Sequence, residues 1–125
     1  VISYADDTTR KELNNIIEEI LPSVVKYQRK DGLFSWQLQA GDGPEDISAT
    51  GMILSSINTL LNQGLVDSKY EEVVDKGSKA IKEQLGAYNK CLSECEALSC
   101  YPQVYGEYPW GTSSIVRLAI ESIII

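Results

Sequence analysis

The stretch Asp46-Ile47-Ser48-Ala49-Thr50-Gly51-Met52-Ile53-Leu54-Ser55-Ser56-Ile57-Asn58-Thr59-Leu60-Leu61-Asn62-Gln63-Gly64 decides the fold. Asp46 is a good helix N-cap and Gly64 a natural stop. Between them lies no charged residue. One face carries Met52, Ile53, Leu54, Ile57, Leu60 and Leu61. The other carries only small residues, among them Ser48, Ala49, Gly51, Ser55 and Ser56. A helix without charge on any face is packed on all sides, and small residues let neighbouring backbones come close.

The flanking helices read differently. Upstream, Leu13, Ile16, Ile17, Ile20, Leu21, Val24 and Val25 follow helical spacing, with Lys11, Asn14, Asn15, Glu18 and Glu19 opposite. Thr9 and Glu12 fit a capping box that opens this helix, and Pro22 predicts a kink or break near Leu21. Downstream, Ser68 and Glu71 fit a second capping box. Tyr70, Val73, Val74, Gly77, Ile81 and Leu85 make one apolar stripe against a charged face, as far as Gly86. A fourth helix starts near Trp110 and is almost wholly apolar apart from Arg117 and Glu121. Amphipathic and fully buried helices therefore alternate, in two units of about 60 residues whose residue-level match is weak. That is the pattern of outer and inner helices in an all-α toroid or solenoid of αα-hairpins. A four-helix bundle would show four similar amphipathic helices instead.

Composition sets the outer limits. The chain has 125 residues and a mass of 13.8 kDa, one domain's worth. Its 11 Lys and Arg against 18 Asp and Glu give a net charge of −7. No basic cluster offers the footprint that nucleic acid or an anionic membrane surface requires. No run approaches the roughly 18 apolar residues of a membrane span. There is no histidine, so a Ser-His-Asp or Cys-His system cannot be assembled from this chain alone. The first residue is Val1 and the last three are isoleucines. Both ends read as those of a piece of something longer or processed, the latter as a truncated helix.

Chemistry gathers in two aromatic loops, 31–45 and 88–109. Each feeds an inner helix. If the inner helices run the same way, both N-termini lie at one end. Phe34, Trp36, Glu45, Asp46, Tyr101, Tyr105, Glu107, Tyr108 and Trp110 then converge on one mouth. Aromatic faces stack on sugar C–H groups and carboxylates accept from hydroxyls. Helix N-termini add partial positive charge suited to a carboxylate or sulfate. Each residue also has a plainer reading: Asp46 as a cap, the two tryptophans as core or loop anchors, Glu107 as a solvated charge. Glu45 and Asp46 are adjacent and point apart, a poor acid–base pair. Cys91, Cys95 and Cys100 have no histidine to complete a zinc set, and no metal or cofactor is implied. One disulfide with a free thiol, or three thiols, both fit the spacing.

Three segments in order carry a resemblance: Asp31-Gly32-Leu33-Phe34-Ser35-Trp36-Gln37-Leu38, Asp46-Ile47-Ser48-Ala49-Thr50-Gly51-Met52, and Trp110-Gly111-Thr112. Together they resemble the C-terminal part of the unsaturated glucuronyl and rhamnogalacturonyl hydrolases, glycoside hydrolase families 88 and 105. The resemblance implies an (α/α)6 barrel of twelve helices. It also implies hydration of the C4–C5 double bond that polysaccharide lyases leave on a terminal uronic acid. In those enzymes an Asp protonates the vinyl ether and activates water. The family's catalytic Asp residues lie upstream of the matched part and fall on no residue here.

The expected reading is therefore one all-α segment, residues 1–125, of a larger (α/α)6 barrel. Trp36, Asp46, Tyr105 and Trp110 contribute to an oligosaccharide site. The remainder of the barrel, or an oligomeric partner, covers the apolar edges. The rival readings are a non-catalytic helical carbohydrate-binding or scaffold module, and an α/α toroid of other specificity.

Overall fold

The structure is a computed structural model that describes residues 4–85, 94–95, 105–106 and 108–123, of which 94, 95, 105 and 123 by backbone alone. Among the described residues are four helices: α1 (Asp7–Val25), α2 (Ile47–Asn62), α3 (Glu71–Gln84) and α4 (Pro109–Ile123). Two two-residue strands, β1 (Glu94–Cys95) and β2 (Tyr105–Gly106), pair antiparallel within the connection from α3 to α4. This short pairing leaves the class all-α, built of αα-hairpins.

Helix starts are set by aspartates. Asp6 caps α1 by accepting from the Thr9 N–H at 2.9 Å. Asp67 caps a 3-10 turn over Ser68–Tyr70 that leads into α3. Both expected capping boxes are thus corrected. In each case an Asp just upstream sits in extended backbone, where its carboxylate reaches the free N–H groups ahead. The expected break at Leu21 is also absent, because α1 runs on through Pro22 to Val25. Pro22 stands in the last turn, where the missing N–H costs one bond and little helix follows. At the end of α2, Gly64 takes φ +65°, its N–H bonds the Leu61 carbonyl, and the Leu65 N–H bonds the Leu60 carbonyl. This double bond satisfies carbonyls that the helix end leaves open.

The two inner helices are parallel. Gly51 of α2 lies against Ser114 and Ile115 of α4, and Thr59 further along lies against Glu121. Gly51 is the fifth residue of its helix and Ser114 the sixth of its own, so the two N-termini stand level. α3 runs antiparallel to α2. Its Gly77 meets Leu54, while Glu71 and Val74 share a cavity wall with Asn58 and Leu61.

Phe34, Ile47, Leu54, Ile57, Val74, Ile81 and Leu118 form the core. The expectation of burial all round fails on one face each of α2 and α4. Met52 is 42% exposed, and Val116 and Ile120 are about half exposed. Ile16 and Ile20 of α1 join Met52 in lining an apolar groove. Nothing in this chain covers these faces among the described residues. No helix among the described residues is long and apolar enough to cross a membrane.

Candidate functional site

The connection from α1 to α2 is a long loop with a tight frame. Phe34 is fully buried, and its N–H donates to Thr50 Oγ1 at 2.9 Å. The Asp46 N–H bonds the Phe34 carbonyl, and the Trp36 N–H bonds the Pro44 carbonyl, each at 3.0 Å. Ser35 and Glu45 pair as an isolated antiparallel bridge. The segment is thus a narrow extended loop that leaves the core at Phe34, carries Trp36 outward, and returns to the start of α2. Gly32 permits its entry: it takes φ +97°, and a Cβ there would lie 2.6 Å from the Lys76 carbonyl oxygen.

Its place in a loop that feeds an inner helix puts Phe34 among the residues expected at the mouth. The structure corrects this. With no exposed surface, its ring is a core plug under α2 and cannot touch a ligand. Trp36, two residues on, is partly exposed. Asp46 is 6% exposed, and its Oδ1 accepts from the Ala49 N–H at 3.1 Å and from the Ser48 hydroxyl. Its plainer reading as the α2 cap is therefore the one observed.

At the start of α4, Tyr108 and Trp110 stack with ring centroids 4.9 Å apart and planes within 9°. Both are partly exposed. Pro109 is the first helical residue, where a missing N–H is harmless. The Thr112 N–H bonds the Tyr108 carbonyl at 3.0 Å, which ties the stacked pair to the helix. Since α2 and α4 run parallel with level starts, the Trp36 loop and the Tyr108–Trp110 stack belong to the same end of the molecule. Tyr105 is described by its backbone in β2 alone. Tyr101, Glu107, Cys91 and Cys100 lie outside the described residues, as does the Cys95 side chain. Among the described residues no cluster of His, Cys, Asp and Glu is placed to hold a metal.

One residue that the sequence did not single out is central. Arg29 reaches across the loop. Its Nη1 donates to the Gly43 carbonyl at 2.7 Å and lies 3.4 Å from Ser35 Oγ, while its Nη2 pairs with Asp31 at 2.9 Å. A cavity of about 520 Å³ opens beside it, between Lys26, Lys30 and Asp31 on one side and Leu38, Gln39 and Asp42 on the other.

The model of Glycosyl Hydrolase Family 88 matches residues 3–101. The chain belongs to this family. Solved structures agree on the fold. A possible member of the GH105 family from Salmonella enterica serovar Paratyphi A superposes with a TM-score of 0.88 at 16% identity, covering 95% of this chain and 33% of that one. Another possible member of that family, from Klebsiella pneumoniae, gives 0.87 at 15% identity, with 94% and 33% covered. A glycosyl hydrolase family 88 protein from Bacteroides vulgatus gives 0.84 at 18% identity, with 96% and 37% covered. No curated protein matches the sequence. The family 88 chain thus spans about a third of each of these structures. Its inner and outer helices are αα-hairpins of the same helical barrel.

Proposed function

We propose that this chain forms about one third of an (α/α)6 barrel that hydrolyses oligosaccharides ending in an unsaturated uronic acid. The reaction is hydration of the C4–C5 double bond. The observation that carries the reading is the pair of parallel inner helices, level at their N-termini, each entered by aromatic residues held in place. Trp36 and the Tyr108–Trp110 stack supply faces for the C–H surface of sugar rings. Tyr105, in the connection that leads to α4, completes the proposed set. Asp46 sets the start of α2 beside them and is the carboxylate of the proposed set. The first turn of α4 contains no acidic residue, so its partial positive charge is available to the uronate carboxylate. The acid that protonates the vinyl ether comes from the remainder of the barrel. That remainder also covers Ile16, Ile20 and Met52 on one edge and Val116 and Ile120 on the other.

The test is turnover of an unsaturated uronyl disaccharide by the intact barrel, followed by loss of the double bond's ultraviolet absorbance. Trp36→Ala and Trp110→Ala are expected to lower kcat/KM by about 10- to 100-fold, the worth of a lost stacking face and its positioning. Unchanged kcat/KM in both would sink the assignment. One observation favours a second reading. Asp46, the carboxylate beside the aromatics, already caps a helix. A non-catalytic carbohydrate-binding module would bind the disaccharide and leave its absorbance intact.

A further inference from the structure

The aromatic loop needs something to hold its two limbs beside Trp36. Phe34 and Asp46 tie its two feet to α2, the Trp36 N–H bonds the Pro44 carbonyl across it, and Leu38 packs against the core, while the backbone of residues 37–42 carries local turn bonds, from the Ala40 N–H to the Gln37 carbonyl and from the Gly43 N–H to the Ala40 carbonyl. Arg29 is the side chain from outside the loop that bonds both of its limbs, at Ser35 and at Gly43, among the described residues. Its guanidinium spans three places: Asp31 at the entry, Ser35 on the outgoing limb and Gly43 on the returning limb.

The base of Arg29 is itself fixed. Lys76 Nζ of α3 donates to the Arg29 carbonyl at 3.0 Å. Next to it, Gln28 Nε2 donates to the carbonyls of Gly32 and Val73, at 2.9 and 2.8 Å. The backbone at 28–29 is therefore anchored to the outer helix α3, while the side chain of 29 grips both limbs around Trp36. A planar fork with five fixed donors suits this bridging. The single ammonium of a lysine does not.

We propose that Arg29 is a positioning residue for Trp36: it transmits the frame of α3 to the aromatic loop and sets where the Trp36 ring stands. Its effect on sugar binding rests on the reading of Trp36 given above. Its effect on Trp36 itself does not. The core beneath, built on Phe34, Leu33 and Ile47, is buried without help from the guanidinium. Loss of Arg29 therefore loosens the two limbs on either side of Trp36 and leaves the helices packed.

The experiment uses the intact barrel labelled with 5-fluorotryptophan, which places fluorines at Trp36 and Trp110. Trp36→Phe and Trp110→Phe assign these two resonances. Arg29→Ala is expected to move and broaden the Trp36 resonance and leave Trp110 in place. Affinity for the unsaturated uronyl disaccharide is expected to fall about tenfold, the scale of a stacking face moved out of place. Arg29→Lys, which keeps the charge and loses the fork, is expected to fall between. An unmoved Trp36 resonance in Arg29→Ala overturns the proposal. If Arg29→Ala fails to fold, Arg29→Lys decides by the same criterion. A wild-type chain that binds no sugar sinks the functional reading alone, since the fluorine resonances still judge Arg29.

Discussion

A Cβ placed on Gly51 of α2 would stand 2.5 Å from Ser114 Oγ of α4. Ser114 cannot yield freely, because its hydroxyl donates to the Gly111 carbonyl at 2.8 Å. The two inner helices thus meet where one contributes no side chain at all. Gly51→Ala is expected to destabilise the fold by about 1–3 kcal/mol through overpacking, despite alanine's better helix propensity. Adding Ser114→Gly should recover part of that loss. Urea midpoints of the two variants check it. A stabilised Gly51→Ala would mean the helices cross elsewhere.

Phe34 and Trp36 are two residues apart and should behave oppositely. Phe34→Ala empties a fully buried position under α2 and is expected to cost about 3–5 kcal/mol. Trp36→Ala, partly exposed, should cost about 1 kcal/mol in stability while removing a stacking face. Thermal unfolding and disaccharide titration on the same pair of variants separate the roles.

Glu121 locks the far ends of the inner helices. Both its carboxylate oxygens lie 3.0 Å from Thr59 Oγ1, and Arg117 Nε pairs with Oε1 at 2.8 Å. Arg117 is more than half exposed, so its share is small and screened by salt. A double-mutant cycle of Thr59→Val and Glu121→Gln is expected to give a coupling of about 0.5–1.5 kcal/mol, below the full worth of a hydrogen bond to a charge because the Thr59 hydroxyl also donates to the Ser55 carbonyl at 2.8 Å. Additive effects would remove the lock.

The Asp6 carboxyl is held below its ordinary value of 3.8, first by the Thr9 backbone N–H and then by the Thr9 hydroxyl. A depressed folded value means the cap's contribution is present above the ordinary value and is lost as pH falls through the lower, folded one. Helicity at the start of α1 should therefore decline in acid. In Asp6→Asn the decline should vanish, since the amide caps without titrating. Amide exchange at Thr9 reads this directly.

Much of the fold was legible because it follows from pattern. The uncharged run 47–63 marks an inner helix, and the charged faces of α1 and α3 mark outer ones. Asp46 and Gly64 were readable as cap and stop because each role needs that residue type. The starts of α1 and α3 were misread. Thr9–Glu12 and Ser68–Glu71 satisfy the capping-box rule, but Asp6 takes the Thr9 N–H, and Asp67 caps a 3-10 turn in which the Glu71 N–H bonds the Ser68 carbonyl. Of the candidate site, alternation puts Phe34 and Trp36 on one face, and the irregular loop that separates a buried Phe34 from a partly exposed Trp36 was not legible in it. Arg29 left no signal, because its partners Ser35 and Gly43 are ordinary loop residues that only the folded path brings under it.

Residue order alone determined the number of helices, their alternation between solvated and uncharged, and the aromatic character of both inner-helix entries. These follow from local chemistry: helical spacing, caps, and the cost of burying charge. Tertiary structure decided that α2 and α4 run parallel with level N-termini and that Phe34 plugs the core. It also decided that Asp46 is buried as a cap and that Arg29 holds the loop around Trp36. Those are relations between residues distant in sequence or turned by a loop, and they exist only once glycine at 32, 51 and 77 has let the backbones close.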